Sequence, residues 1–443
     1  MITDLTEGKP SKILWSFSIP MLLSVVFQQL YNIVDSIVAG KFVGAQALAA
    51  VGASYPITMI FMAIATGANV GAAVIISQLF GAKNFEKLKT SVFTSIISMT
   101  VLAAILTIFG IVFCSGMLKM LSTPDNIFSD SMTYLNIYIG GLIFLFLYNI
   151  CTGIFTAMGD SKTPLYFLIM SSVGNIILDL VFVIVFNMGV AGVGWATFIA
   201  QGISSLLAFA VLLKRVHGIK SGTYKKFSIR MLGHISRIAI PSILQQSFVS
   251  VGNLFIQSRV NSFGSDAVAG SATGLNFEYF TYFTISAFVQ AAVTFTSQNY
   301  GARNFKRCKK IFVYSMISSV VICGLMSAIF VVGRDFFAEI YTTDKAVLEY
   351  ASIRMVHVLL FECLASSYEI GGAALRGLGY SMTPAVLTVL GSCVFRLIWI
   401  YTVFNKFRSF EMLMNVYPVS WIITGIAVLI AYAIVRKKLF KET

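Results

Sequence analysis

Charged residues are scarce in this chain. The 32 Lys and Arg and the 18 Asp and Glu make up only 11% of its 443 positions, whereas soluble globular proteins carry about 25%. The composition therefore excludes a water-soluble fold. The hydrophobic fraction is 57%, and the apolar residues fall in runs of about 20 residues or more, the length that a helix needs to cross a bilayer. The sequence predicts an all-α polytopic membrane protein.

Several other features are missing from the sequence. Segments of about ten residues with alternating polarity, typical of outer-membrane barrels, do not occur. The six Cys residues lie almost all inside apolar runs without paired or zinc-type spacing, so we interpret them as reduced packing residues. His-Glu-x-x-His, Gly-x-Ser-x-Gly and phosphate-loop motifs are absent and the loops are short. We therefore expect neither an enzyme nor a cofactor, and no metal site beyond a transient sodium ion.

The apolar runs predict twelve membrane spans. These begin near residues 13, 47, 90, 129, 163, 189, 233, 268, 308, 347, 383 and 411. The first run is expected to be retained, because the tail before it carries Asp4 and Glu7 and no small-residue cleavage site follows it.

The distribution of basic residues predicts the orientation. Most Lys and Arg lie in the N-terminal tail, the loops after even-numbered spans and the C-terminal tail, so the positive-inside rule places both termini in the cytoplasm. We expect a multi-pass protein of a bacterial or archaeal cell membrane. Basic clusters beside anionic lipid explain the net charge of +14, so no nucleic-acid partner is expected.

The chain repeats itself at a shift of 220 to 221 residues. Matching pairs occur along both halves and include Pro20 with Pro241, Asn32 with Asn253, Gly44 with Gly264, Gln78 with Gln298, Asn84 with Asn304, Tyr148 with Tyr368, and Ser161 and Pro164 with Ser381 and Pro384. With six spans each, the halves form a parallel repeat. We predict an N-terminal lobe over 1–215, a cytoplasmic linker over 216–232 and a C-terminal lobe over 233–443.

Acidic residues inside spans are functional candidates, because an unpaired charge there costs several kcal/mol. The sequence places five acids in spans, accompanied by Arg354, His357 and Arg396 as the only basic or titrating residues. The acids are Asp35, Asp179, Glu278, Glu362 and Glu369.

Four oxygen-bearing side chains are predicted to converge in the N-terminal lobe. Asn175 and Asp179 are four apart and share a helix face. At 1.5 Å per residue, Asp179 lies about 24 Å from the inner start of its span, and Thr197 and Asp35 lie about 12 Å and 8 Å from the outer ends of theirs. Such a set suits a sodium ion or a proton. Alternatively, Asp35 is interfacial and Asp179 bonds a neighbouring helix.

This set has no copy in the second half. At the repeat shift, Asp35 corresponds to Ile256, and Asn175 and Asp179 correspond to Phe395 and Trp399. Residues kept for symmetric packing would occur in both halves, so the one-sided placement favours a functional role.

Three further interpretations concern the remaining candidates. Glu278 lies among Phe277, Tyr279, Phe280 and Tyr282, a composition that suits an organic cation; the alternative is a packing belt. Glu362 and Arg396 lie at similar depths and are expected to form a structural ion pair, with gating as the alternative. Pro20 removes a helix hydrogen bond and is expected to act as a hinge in the first span.

The motifs together resemble the multidrug and toxic compound extrusion (MATE) family. The resemblance rests on Tyr31-Asn-Ile-Val-Asp35, on the repeated Gln-x-x-Gly-Ala-(Lys/Arg)-Asn, and on the segment from Gly189 to Thr197. It implies two six-helix lobes that export organic cations or drugs in exchange for protons or sodium by alternating access. It also implies a cation-coupling site of the DinF-like branch, formed by Asp35, Asn175, Asp179 and Thr197, with Tyr31 beside them.

Other functions remain as alternatives at this point. The nearest is a flippase for a lipid-linked oligosaccharide of the same superfamily, which would need basic residues for pyrophosphate; five intramembrane acids against two arginines argue against it. A channel would need a filter of carbonyl or charge rings, and none is visible. The expected partners are a small organic cation and the lipid bilayer, and the protein is expected to be a monomer.

Overall fold

The structure is a computed structural model that describes residues 3–38, 42–121 and 123–439, with side chains at all of these positions except 30–37, 45 and 48. Within those ranges it is helical and contains no strand. Its helices are α1 Pro10–Val38, α2 Ala45–Gly81, α3 Phe85–Met120, α4 Asp125–Gly140, α5 Leu142–Ala157, α6 Lys162–Leu180, α7 Gly189–Gly218, α8 Ile229–Asn261, α9 Ser265–Gly301, α10 Phe305–Val332, α11 Arg334–Glu339, α12 Lys345–His357, α13 Ala365–Gly377, α14 Met382–Val389, α15 Phe395–Trp399, α16 Phe410–Met414 and α17 Val416–Leu439.

The long apolar helices confirm the membrane fold. In the described ranges nine helices are long and apolar enough to span a bilayer, or ten if α4 and α5, which are bent by 46°, form one span. The other two predicted spans correspond to α9, which is long but carries Glu278, and to the segment Lys345–Gly377, which is broken by a 3-10 turn at Leu359–Leu364.

The repeated Gln-x-x-Gly-Ala-(Lys/Arg)-Asn motif is a tight turn between two helices. Lys83 and Arg303 adopt φ of 55° and 58°, and the following Asn84 and Asn304 accept a hydrogen bond from the backbone N–H three residues on, each at 3.2 Å. An Asn side chain satisfies a free N–H at a helix start in this way. The motif therefore ends one span and begins the next in both halves.

The chain folds into two compact units. Unit 1 comprises Met1–Asp4 and Ile19–Ala239, and unit 2 comprises Leu5–Ser18 and Ile240–Thr443. Helices α1 and α8 each pass from one unit to the other, and the change occurs one or two residues before Pro20 and Pro241. The two prolines matched by the repeat thus lie at equivalent places in the fold.

The first half of α1 packs within unit 2, and the first half of α8 packs within unit 1. Trp15 meets the Phe288 ring edge-on at 5.6 Å, and Phe17 meets Phe295 at 5.5 Å. In unit 1, a Cβ added at Gly71 would lie 2.6 Å from the Cβ of Ala239. Glycine is required there because α8 approaches α2 so closely.

Most of the segment predicted as a linker, 216–232, packs along α3. The Lys225 N–H donates to Thr90 Oγ1 at 3.2 Å, the Ser228 N–H donates to Thr94 Oγ1 at 3.2 Å, and the Tyr224 ring stacks on Phe93 at 5.5 Å. Backbone groups that helices leave unpaired are satisfied here by threonine hydroxyls.

Candidate functional site

Asn175, Asp179 and Thr197 meet inside unit 1. Asp179 is fully buried and Asn175 is 2% exposed. The Asn175 amide finds suitable partners when its nitrogen faces Asp179: it donates to Asp179 Oδ2 at 2.8 Å, while its oxygen accepts from the Thr197 hydroxyl at 3.3 Å and the Thr197 N–H at 3.1 Å. The amide orientation is assigned from these partners.

Helices α6 and α7 create this meeting point. Asn175 and Asp179 are one turn apart on α6, which continues into a π-helical turn at Val181–Val185. The chain then reverses through Gly189 at φ 57°, where a side chain would be strained. Thr197 consequently lies opposite Asn175 on α7, as the depth arithmetic predicts.

Two members of the predicted site lie outside the described side chains. Tyr31 and Asp35 occupy positions in α1, but the structure does not describe their side chains. The geometry of the site is therefore that of its α6 and α7 part. A carboxylate, an amide oxygen and a hydroxyl in a buried position are ligand types that a hard cation prefers, and a buried carboxylate can alternatively take up a proton.

Glu278 is bound to an arginine inside unit 2. Arg354 Nε and Nη2 donate to its two carboxylate oxygens at 2.5 and 2.8 Å, and Arg354 Nη1 donates to Ser271 Oγ at 2.7 Å. Both charged side chains are buried. This two-point geometry is the strongest form of Arg–carboxylate contact, and it ties α9 to α12.

The five residues predicted to bind substrate do not form one cage. Phe277 is buried against Phe330 and Phe337, and Phe280 also lies near Phe330. Tyr279 and Tyr282 point the other way and are exposed, at 39% and 36%. The prediction missed that neighbouring residues of a helix turn to different faces, and Glu278, although one turn from Tyr282, is held by Arg354.

One of the two exposed tyrosines, Tyr282, contacts Glu369. The Tyr282 hydroxyl donates to Glu369 Oε1 at 3.3 Å, and Tyr279 stacks with Phe283 at 5.9 Å. Glu369 is only partly buried. Two turns further along α13, Arg376 interacts electrostatically with Glu369 and donates to Gln245 Oε1 at 3.2 Å.

The expected ion pair between Glu362 and Arg396 is not formed. Glu362 Oε2 accepts from Thr281 Oγ1 at 2.5 Å, whereas Arg396 donates to Asn253 Oδ1 at 2.6 Å and to Ser420 Oγ at 3.2 Å. Equal depth was the only basis for that prediction, and depth does not determine which helix face a residue occupies. Arg354 takes the role of the structural ion-pair partner, with Glu278.

Arg354 and Arg376 make contacts in unit 2 that the sequence analysis did not predict. Arg354 lies about 10 Å and Glu278 about 15 Å from the starts of their predicted spans at 1.5 Å per residue, so similar depth allowed their pairing but did not identify it. Arg376 is not among the candidates predicted from the sequence, because it falls in the loop after the tenth predicted span. The structure buries its side chain to 7% exposure on α13.

An ion pair lies in the turn before α6 in unit 1. Asp160 Oδ1 accepts from the Lys162 and Thr163 N–H groups, both at 3.1 Å, and its Oδ2 accepts from Thr163 Oγ1 at 2.8 Å and from Arg215. Burial acts to raise the pKa of Asp160, but the bonds from Arg215 and Thr163 outweigh it, so the pKa lies below its ordinary value.

Within the described residues, no group of three or more His, Cys, Asp and Glu side chains is arranged to hold a metal ion. The candidate cation site therefore rests on mixed carboxylate, amide and hydroxyl oxygens.

Comparison with protein families identifies a duplicated domain. The MatE family matches residues 20–181 and again residues 241–402, a shift that agrees with the repeat in the sequence. Among curated relatives, the probable multidrug resistance protein YoeA of Bacillus subtilis (strain 168) is 28% identical over 399 residues, covering 87% of this chain and 86% of that protein.

Two other relatives carry similar descriptions. The probable multidrug resistance protein YpnP of Bacillus subtilis (strain 168) is 30% identical and covers 69% of this chain and 68% of its own length. The multidrug export protein MepA of Staphylococcus aureus (strain NCTC 8325 / PS 47) is 24% identical, covering 77% of this chain and 76% of that protein.

Solved structures agree on the fold. A crystal structure of a MATE protein in the straight conformation has a TM-score of 0.90 at 23% identity and covers 99% of both chains. An outward-facing multidrug resistance MATE family transporter has a TM-score of 0.92 at 22% identity, covering 99% of this chain and 98% of that chain.

Proposed function

Because the chain belongs to the MatE family of multidrug efflux transporters, we propose that it is a secondary antiporter. It exports organic cations or drugs in exchange for protons or sodium ions by alternating access. The observation that carries this proposal is the buried Asn175, Asp179 and Thr197 contact in unit 1. A carboxylate in a membrane span is costly unless its charge is balanced, and a bound cation balances it.

The coupling ion is proposed to bind between α6, α7 and α1. Asp179 supplies the charge, Asn175 holds it in place, and Thr197 supplies a further oxygen. Asp35 and Tyr31 are proposed to complete the site from α1. Neutralising the acids lowers the cost of their burial, so ion binding favours a different packing of α1 from ion release.

The substrate cation is proposed to bind at the exposed aromatic and acidic surface of unit 2. Tyr279 and Tyr282 present ring faces, and Glu369 presents a partly buried carboxylate beside the Tyr282 hydroxyl. Ring faces and one carboxylate together recognise quaternary or aromatic cations. Glu278, which the sequence favoured, is held by Arg354 and is a poorer ligand for substrate.

The flippase alternative is not favoured by the arginines of unit 2. A pyrophosphate site needs guanidinium groups that are available for phosphate oxygens, whereas Arg354 is committed to both oxygens of Glu278 and to Ser271.

Transport in liposomes tests the proposal. Purified protein would be reconstituted with a fluorescent organic cation, and the pH and sodium gradients would be collapsed separately. An antiporter loses gradient-driven export when its coupling gradient is removed. Export that is unaffected by removal of either gradient would contradict the proposal. A monovalent cation exchanged for one proton moves no net charge, so the membrane potential alone should not drive it.

A further inference from the structure

The two units differ in how their buried acids are neutralised. Away from the helix ends, the first six spans contain Asp35 and Asp179 and no Lys or Arg. Away from the helix ends, unit 2 contains the acids Glu278, Glu362 and Glu369 and the arginines Arg354 and Arg396, and a third arginine, Arg376, is buried in the last turn of α13. Formal charge therefore balances within unit 2 but not within the spans of the first half.

Arg396 lies at the position equivalent to Asn175. Both residues follow a Ser-x-Thr-Pro segment, which begins at Ser161 in one half and at Ser381 in the other. The helix from Ser161 to Asn175 is regular, whereas the second copy contains a π-helical turn at Leu390–Val394. A π turn accommodates one extra residue. The shift between equivalent positions of the two halves therefore changes from 220 to 221 residues, and Arg396 becomes the equivalent of Asn175.

The surroundings of Arg396 support this equivalence. Asn175 contacts Thr197 in the helix that begins at Gly189, and Arg396 lies over the ring of Tyr417, in the corresponding segment of the second half, at 4.6 Å from the ring centroid. Arg396 also donates to Asn253, the repeat partner of Asn32. The guanidinium is 3% exposed and is held by neutral oxygens and a ring, the kind of ligands that surround a bound cation.

We propose that Arg396 is a resident cation, which occupies in unit 2 the place that the exchangeable ion takes in unit 1. Unit 2 therefore needs no ion from solution, and the transporter exchanges its coupling ion only in unit 1. This inference rests on the proposed antiport and adds a residue that determines ion stoichiometry.

Arg396 belongs to a larger buried cluster of charged side chains. Arg354 lies 5.5 Å from the same Tyr417 ring and neutralises Glu278, while Glu362 is bonded only by the Thr281 hydroxyl among the described contacts. Arg396 makes no described contact with Glu362 and interacts electrostatically with Glu278, so Arg354 and Arg396 together balance the charges of Glu278 and Glu362 through the cluster. Removing the charge of Arg396 leaves one excess negative charge in a buried site, which must then be neutralised by a proton or a metal cation. The charged and titratable groups around the cluster are Glu278, Tyr282, Cys323, Arg354, His357, Glu362, Cys363, Tyr368, Glu369, Arg376, Cys393 and Tyr417.

Charge restoration tests this inference. The variants Arg396→Gln and Glu362→Gln/Arg396→Gln would be made in an Asp179→Asn background, which silences the proposed site of unit 1. Melting temperatures in detergent would be measured in sodium and in choline chloride, at several pH values. The amide introduced at position 396 has its nitrogen near the place of Arg396 Nε and can still bond Ser420, and the amide introduced at position 362 can still accept from Thr281. Arg396→Lys is the matched control that retains the charge.

The single Arg396→Gln change is expected to lower the melting temperature. It is also expected to make the melting temperature rise with sodium or at low pH, because one bound cation or proton replaces the lost positive charge. Adding Glu362→Gln is expected to recover part of the lost stability and to abolish that new dependence, and Arg396→Lys should not introduce it. If the single and double variants melt at the same temperature with the same cation response, Arg396 has only a packing role and the inference is wrong.

The background variant keeps the two proposals distinguishable. If Asp179→Asn retains the cation response of the unmodified protein, the proposed coupling role of Asp179 fails. The comparison between Arg396→Gln and Glu362→Gln/Arg396→Gln still decides whether Arg396 supplies the resident charge. If Arg396→Gln alone does not fold, recovery of a folded protein by the added Glu362→Gln change supports the inference, and failure of both while Arg396→Lys folds normally contradicts it.

Discussion

Arg354 donates to both carboxylate oxygens of Glu278, at 2.5 and 2.8 Å, in the buried interior of unit 2. This pair joins α9 to α12 just before the 3-10 turn that interrupts the tenth span. An interruption at membrane depth is tolerated where protein surrounds it. The pair therefore holds the broken span in place.

Glu278→Gln is expected to destabilise the protein rather than to alter substrate choice. It leaves the Arg354 guanidinium buried with one neutral partner in place of a carboxylate, which costs about 3–5 kcal/mol when a buried pair is broken. Thermal unfolding in detergent measures this loss. A stable variant whose affinity falls for cationic dyes but not for neutral ones would return Glu278 to the substrate site.

Glu369→Gln is expected to weaken the binding of cationic substrates selectively. The carboxylate is partly exposed beside Tyr282, and removing its charge should reduce affinity for a cationic dye by about tenfold, or about 1.4 kcal/mol. Binding of a cationic and a neutral dye of similar shape would be compared by fluorescence. Tyr282→Phe is the companion variant, because it removes the hydroxyl and keeps the ring. Equal losses for both dyes would place Glu369 in a packing role.

Asp160→Asn is expected to destabilise the turn before α6 in a pH-dependent way. The pKa of Asp160 lies below its ordinary value of about 3.9, so the stabilisation is fully present above that value and is lost as the pH falls through the lower, folded-state pKa. At neutral pH the variant should lose about 1–3 kcal/mol.

Measurements at acidic pH provide the control for Asp160→Asn. The difference in melting temperature between the natural protein and the variant should shrink as the pH falls below about 4, where the unfolded carboxyl becomes protonated. Arg215→Lys keeps a positive charge near Asp160, so this variant should retain part of the stabilisation that the ion pair provides. A difference in melting temperature that is the same at neutral and acidic pH would show that the charge of Asp160 does not contribute to stability.

Pro20→Ala is expected to slow transport and to leave ion binding largely intact. Helix α1 passes from unit 2 to unit 1 beside Pro20, where the ring removes one helix hydrogen bond and favours bending. Efflux rate and cation-dependent stabilisation would be measured on the same preparation. Pro241→Ala in α8 is the matched variant from the other half. Unchanged efflux from a stably folded Pro20→Ala protein would remove the hinge from the mechanism.

The sequence predicted some relationships well because they depend on regular geometry. Asn175, Asp179 and Thr197 were brought together by helix periodicity and by rise per residue, and both hold in regular helices such as α6 and α7. The twofold repeat was visible from matching glycines, prolines and asparagines, whose positions are fixed by turns and caps such as the one at Asn84.

The remaining features depend on side-chain direction and on irregular backbone. The pairing of Glu278 with Arg354 rather than with substrate depends on which face of α9 each residue occupies. The register of Arg396 depends on a π turn, which a residue count at constant shift overlooks. The packing of Leu5–Ser18 within unit 2 is a tertiary contact between segments far apart in sequence, and local propensity does not encode it.

The most direct test of the proposed antiport is gradient-driven efflux by Asp179→Asn compared with Asp160→Asn. Both changes remove a buried carboxylate in unit 1, but only Asp179 is proposed to bind the coupling ion. Export of a fluorescent cation from liposomes would be followed at matched protein content and confirmed folding. The account predicts that Asp179→Asn abolishes the export that depends on the ion gradient, whereas folded Asp160→Asn protein retains it. Export by Asp179→Asn at the natural rate and with the natural gradient dependence would contradict the account.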